Sequence, residues 1–258
     1  MSPLLALSAV LALVTGCGED SETDGSGGGG GGGAKVVATT TWEGAFAKAA
    51  GAEDVKVLVP HSVGHAPDYD PKPSDLTTVA SADFVLYAAF EPYAEKIKEA
   101  AGSKAKLIEV GLDNDAAKVR AEVERLAGLF GTESAGATWN EEFDTEYARL
   151  GKDLKAGWPG GKRPTVVSQV FTTWAAKMAG ADTVGTYGPE AVSPKQLADL
   201  SAKKPDLVLG NAHMSSGEVL PGSGARQVDI ANYPDGDLDL LKVYRDAAAD
   251  WKKAVDAS

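Results

Sequence analysis

The sequence predicts an α/β fold: two (β/α) lobes with central parallel-type sheets, joined by one long helix. Three observations carry that expectation. From Lys35 onward, short Val- and Leu-rich runs alternate with helix-like segments, which indicates parallel βαβ units rather than a sandwich. A central stretch instead keeps apolar residues at a 3-to-4 spacing over many turns. A second alternating series follows it, with no internal repeat that would suggest a solenoid.

In chain order, "KVVATT" reads as a buried strand, followed by a helix from Trp42 to Ala50 that Gly51 ends. "DVKVLVP" is the next strand and runs into a stiff, acidic, proline-rich loop, "PHSVGHAPDYDPKPSD". Ser74, behind Pro73, is placed to cap a helix whose apolar side is Leu76, Val79 and Ala80. "DFVLYAAF" and "KLIEVG" are two further strands, with a helix from Tyr93 to Ala101 between them. Val119, Val123, Leu126 and Phe130 then share one helical face. Trp139, Phe143, Tyr147, Leu150 and Leu154 share another, an aromatic stripe expected to be core. "GWPGGKRP", 157–164, breaks the chain.

Beyond the break come "TVVSQV", a helix near Trp174 to Ala179, "DTVGTYG", and a helix with Ser193 as N-cap and Pro194 at its first position. "PDLVLGNAHM" and "RQVDIAN" read as strands, and the last helix carries Leu241, Tyr244, Ala248, Trp251 and Val255 on one face. An N-terminal lobe is therefore expected over 35–135, a linking helix over 136–157 and a C-terminal lobe over 158–258.

The segments ahead of the body are of another kind. "PLLALSAVLALVTGC" is an apolar run too short to span a bilayer, so residues 1–17 read as a signal peptide. Val14-Thr15-Gly16-Cys17 resembles a bacterial lipobox, which would make Cys17 the lipid-bearing N-terminus, although no basic residue precedes the apolar run. Cys17 is the only cysteine, leaving no intrachain disulfide and no Cys metal cluster. Residues 18–34 are acidic and then glycine, unable to bury apolar surface, and read as a flexible tether. The body is thus expected to be extracytoplasmic, lipid-anchored to the outer face of a bacterial cytoplasmic membrane, and monomeric.

Composition removes several function classes. A net charge of −12 without clustered Lys and Arg argues against nucleic acid. No GxSxG elbow is present, and the sole cysteine is used at the N-terminus, which leaves covalent Ser or Cys catalysis without support. No P-loop or GxGxxG follows a strand. A non-enzymatic binding protein is the expectation.

In open α/β sheets, ligands bind beyond the carboxyl ends of the strands. His61 and His65 follow the strand ending near Val59, and Glu91 follows "FVLYAAF". Gln169 sits at the end of "TVVS", His213 follows "DLVLGNA", and Asp229 lies at the end of "RQVD". All three histidines of the chain fall at such ends. Imidazole with carboxylate oxygen is a reasonable ligand set for Zn²⁺ or Mn²⁺. Glu91 can equally be a helix cap before Pro92, and Asp229 a turn residue.

The order of lipobox, "VVATTTWEGAFAKAAG", "H…YDPKPSDL", "ADFVLYAAFEPYAEKI" and "SPKQLADL" resembles the zinc- and manganese-binding substrate-binding lipoproteins of bacterial ABC importers. The resemblance implies metal held between two lobes joined by a rigid helix, and delivery to an ABC permease and its ATPase. It implies His65 as the first ligand, with His61 a second candidate because the loop is longer here. It places Gln169 at the third ligand position and Asp229 at the C-terminal one. The family's second histidine has no counterpart in "GTESAGATWN". His213 and Glu91 are the available replacements, so the expected metal set is His65, Glu91, His213 and Asp229, with His61 and Gln169 secondary. An organic solute or metal chelate on the same fold is the alternative, with Trp42, Trp174 and Tyr187 lining a cleft. A metallochaperone or adhesin is a further one.

Overall fold

Two four-stranded, all-parallel sheets form the frame of the protein in the computed structural model, which describes residues 34–63, 65–214 and 217–256. The expectations for the signal peptide, Cys17 and the glycine tether lie outside the described residues. The first sheet has the order β2–β1–β3–β4, from β1 (Lys35–Ala38), β2 (Asp54–Val57), β3 (Phe84–Tyr87) and β4 (Lys106–Glu109). The second has the order β6–β5–β7–β8, from β5 (Thr165–Gln169), β6 (Asp182–Tyr187), β7 (Leu207–Asn211) and β8 (Arg226–Ile230).

Strand alternation divides each sheet into two apolar faces. Val36, Ala38 and Leu86 face one way, and Val37 and Val85 the other. The outer face of the first sheet packs under α2 (Pro73–Ala80) and α3 (Ala94–Ala101) through Val79 and Ile97. In the second sheet Val167 and Val208 face outward, towards Leu200 of α7 (Pro194–Ser201).

The inner faces meet in one core. It joins Val36 and Leu86 of the first sheet to Val166 and Leu209 of the second. Between them lie α1 (Thr41–Ala49), α4 (Ala116–Phe130), α5 (Glu133–Ala156), α6 (Thr173–Ala179) and α8 (Leu240–Asp256). The long helix α5, 24 residues, is about 36 Å long at the usual rise. Its aromatic stripe is core, as the periodicity predicts: Phe143 is fully buried and meets the Tyr244 ring of α8 edge-on at 5.0 Å. Polar bonds sew the same seam. Tyr244 donates its hydroxyl to the Asn114 carbonyl (2.9 Å), Asn114 Nδ2 donates to the Asn232 carbonyl (3.0 Å), and Trp174 Nε1 donates to Asn232 Oδ1 (2.8 Å).

Two local expectations change. Helix α2 starts two residues earlier than a Ser74 cap implies: Lys72 is its N-cap, Pro73 its first residue, and Asp75 accepts the Lys72 N–H at 2.8 Å. Proline fits there because a first-turn N–H has no helical partner to lose. Tyr187 lies in the outer core of the second sheet, donating to the Leu209 carbonyl at 3.2 Å, and so lines no cleft. Among the described residues, no helix is long and apolar enough to cross a membrane.

Candidate functional site

Parallel strands send every chain exit to the same edge, so the loops after β1, β2, β7 and β8 gather at one place. A cavity of about 240 Å³ lies there. The first lobe lines it with Thr40, Pro60 and His61, the second with His213 and Tyr233. Pro60 directly follows Val59, a buried residue, and projects His61 from a short turn. His213 stands on a single 3-10 turn after β7, where its own N–H bonds to Asn211 Oδ1 (3.0 Å).

The two imidazoles therefore come from opposite lobes. His61 Nε2 is 3.8 Å from Asp235 Oδ1, beyond the end of β8. The His213 ring packs on Tyr233 at 4.4 Å, and its Nε2 accepts the Tyr233 N–H at 3.4 Å. Burial holds the His213 pKa below the usual imidazole value, and the nearby His61 adds to the effect while Asp235 opposes it. Burial thus favours the neutral ring, whose Nε2 lone pair the Tyr233 N–H holds and which a metal would take over by displacing that bond. Asp235 is held below the carboxylate range, chiefly by its bond to Lys242.

The four residues of the expected metal set are not brought together. Among the described residues, no three His, Cys, Asp or Glu side chains cluster as a metal-holding group. His65 is exposed and turned to Asp68, its Nδ1 3.2 Å from Oδ1. Glu91 is buried, accepting from the Ala88 N–H (3.0 Å) and the Tyr93 hydroxyl (3.1 Å). Asp229 lies exposed on β8 itself, accepting from Gln227 Nε2 at 3.0 Å. Gln169 is buried with its Oε1 on the Phe171 N–H at 2.6 Å. Of the expected residues, only His213 and the secondary candidate His61 line the cavity.

Sequence reasoning missed three neighbours. Asp235 falls in "YPDG", a turn just past β8 that carries a usable signal: a carboxylate beyond a strand end. Tyr233 lies beside it. Glu43 reads as the fourth residue of a capping box with Thr40, and it does accept from the Thr40 backbone and hydroxyl. Its burial is what no capping pattern reveals. Burial raises the Glu43 pKa, and Glu91 is pushed up to about 8 by burial and then by Glu43.

No family model and no curated protein matches the chain. Solved structures match most of it. The SBP FpvC of Pseudomonas aeruginosa, in complex with Mn²⁺, aligns with a TM-score of 0.65 at 15% identity, over 88% of this chain and 98% of that one. The laminin-binding protein Lmb of Streptococcus agalactiae, a bifunctional protein with adhesin and metal transporting activity, gives 0.62 at 16%, over 86% and 100%. A Zn(II)-bound mutant variant of AdcAII of Streptococcus pneumoniae gives 0.61 at 16%, over 87% and 100%. The chain has their fold. Identities this low make the fold the shared property, and the ligand positions rest on this chain's own geometry.

Proposed function

We propose that the protein captures a divalent metal ion, Zn²⁺ or Mn²⁺, between its lobes and hands it to the permease and ATPase of an ABC importer, working from a lipid anchor at Cys17. The observation that carries this reading is the cross-lobe pair: His61 and His213 line one cavity, with Asp235 beside them. The shared fold supports it, because one of the similar structures holds Mn²⁺ and another Zn(II). Two imidazoles suit either ion, and water would fill the remaining positions, with Asp235 near His61 but, among the described residues, in no ready-made three-residue cluster. In this reading His61 supplies the first lobe's imidazole, and His65 stays with Asp68. No covalent chemistry is asked of the site.

Protons compete with metal for imidazole, so affinity falls as pH drops through the histidine range. His213, held neutral by burial, yields to protons at lower pH than an exposed histidine. Titration calorimetry of the full chain with ZnCl₂ and MnCl₂ tests the reading. One ion per chain is expected, and His61→Ala and His213→Ala should each weaken binding by about tenfold or more. Undiminished binding in the double variant would sink the assignment.

A further inference from the structure

The segment "GWPGGKRP", 157–164, separates the linking helix from the second lobe, and metal capture makes no use of it. In the fold it walls one side of a cavity of about 550 Å³, a size usual for ligand pockets. Lys162 and Arg163 line the cavity from this segment, Lys204 from the turn ahead of β7, and Arg226 from the first position of β8. The cavity therefore lies at the N-terminal ends of β5, β7 and β8. His213 follows the opposite end of β7, a five-residue strand about 16 Å long, so this cavity is separate from the histidine one.

Four cations meet one carboxylate here, in a chain whose acids outnumber its bases 37 to 25. That carboxylate, Asp206, is turned to the sheet: its Oδ2 accepts the Thr165 N–H at 2.7 Å and the Thr165 hydroxyl at 2.8 Å. Lys162, Arg163 and Lys204 are exposed, and among the described residues none of them has a carboxylate at ion-pair distance. Arg163 lays its guanidinium over the Trp158 ring at 6.0 Å, which occupies its face and leaves its N–H edge for a ligand. Arg226 is positioned by the Val255 carbonyl, 3.5 Å from Nη1.

Two features distinguish this cluster from an ordinary solvated face. It surrounds a concavity, and its cations are set beside stiff backbone: Arg163 precedes Pro164 and Lys204 precedes Pro205, both prolines buried. Lys204 also holds a left-handed backbone, φ 50°, which is sparsely populated for a residue with a Cβ.

Lysine and arginine side chains only donate, so the cavity calls for an acceptor of high negative charge. A carboxylate brings one charge and satisfies one fork. A phosphate brings up to two charges, and its oxygens point several ways, so side chains from three separate segments can share it. Leu207 and Val255 give the cavity an apolar wall for a carbon part. We propose that this cavity binds a phosphate ester, its phosphate held by Lys162, Arg163, Lys204 and Arg226. A soluble organic phosphate and the headgroup of an anionic phospholipid share this chemistry. The site is independent of metal capture.

Glycerol 3-phosphate is the soluble probe, followed by titration calorimetry on the full chain, with acetate as the control. Saturable binding is expected, weakening as salt rises, with acetate at least about tenfold weaker. The double variant Arg163→Gln/Lys204→Gln should weaken binding by about tenfold or more. His213→Ala should leave it unchanged, which separates the site from a phosphate riding on bound metal. Co-sedimentation with phosphatidylcholine vesicles, with and without phosphatidylglycerol, distinguishes the two sources, because wild type and double variant carry the same N-terminal segment. Stronger retention of the wild type on phosphatidylglycerol vesicles alone assigns the site to a lipid headgroup. Equal retention, together with glycerol 3-phosphate binding, assigns it to a soluble ester. Equal retention without saturable probe binding overturns the proposal. So does full affinity in the folded double variant, acetate binding as tightly, or loss of binding in His213→Ala. Should the double variant fail to fold, the exposed Lys162→Gln variant decides, and unchanged affinity there overturns it.

Discussion

Glu91 and Glu43 lie within electrostatic reach of each other, and among the described residues neither has a Lys or Arg ion-pair partner. Burial makes the charged forms costly, so the folded chain holds a proton that the unfolded chain has released. A raised carboxyl pKa means the native state binds more protons than the unfolded one between about 4.5 and about 8. Stability therefore falls as pH rises through that window and levels off above it. Urea unfolding across pH 5–9 should show this slope, with a total on the order of 1–4 kcal/mol. Glu91→Gln, which cannot ionise, should flatten it and raise stability at pH 8. An unchanged slope would place the proton elsewhere. The sequence could point to Glu91 only as a strand-end carboxylate, because a metal ligand and a buried acid carry the same letter. The same limit applies to His61 and His65, four residues apart in one loop. The turn after Pro60 brings one to the cavity, and Asp68 holds the other outside.

Helices and strands were far more legible than side-chain destinations. The period-2 and 3.6 patterns are set by which faces are buried, and both sheets bury both faces, so Val- and Leu-rich runs mark the strands directly. What a linear pattern does not carry is how closely two helices approach. Gly136 of α5 faces α4 so tightly that an added Cβ would lie 2.6 Å from the Ala127 Cβ. Its backbone is helical, so the glycine serves the close approach rather than a special turn. Gly136→Leu should overpack this contact and lower stability by about 1–3 kcal/mol, read from the urea midpoint. A neutral outcome would show that α4 and α5 can separate without cost.

The shared core ties the two lobes into one packed body, so they are expected to fold as one unit. Tyr244 touches Phe143, Tyr147 and Trp174 and reaches across to Asn114. Tyr244→Ala should cost about 3–5 kcal/mol. The cross-lobe pair Lys177–Asp115 is mostly exposed on its lysine side, 64%, and Lys177→Ala should cost no more than about 1 kcal/mol. Both proteins should still melt in a single calorimetric transition. Two separable transitions would contradict a common core.

Under the proposed function, that common core would have a consequence for delivery at the permease. Because its halves share buried aromatic contacts, the body is expected to keep nearly the same outline with cargo as without. A permease receiving the proposed cargo would then have little but the loops around His61 and His213 by which to tell full carriers from spent ones. Spent carriers are expected to occupy the receiver almost as well. In vesicles reconstituted with the importer, excess metal-free protein should slow uptake as a competitor does, in proportion to its share of the total.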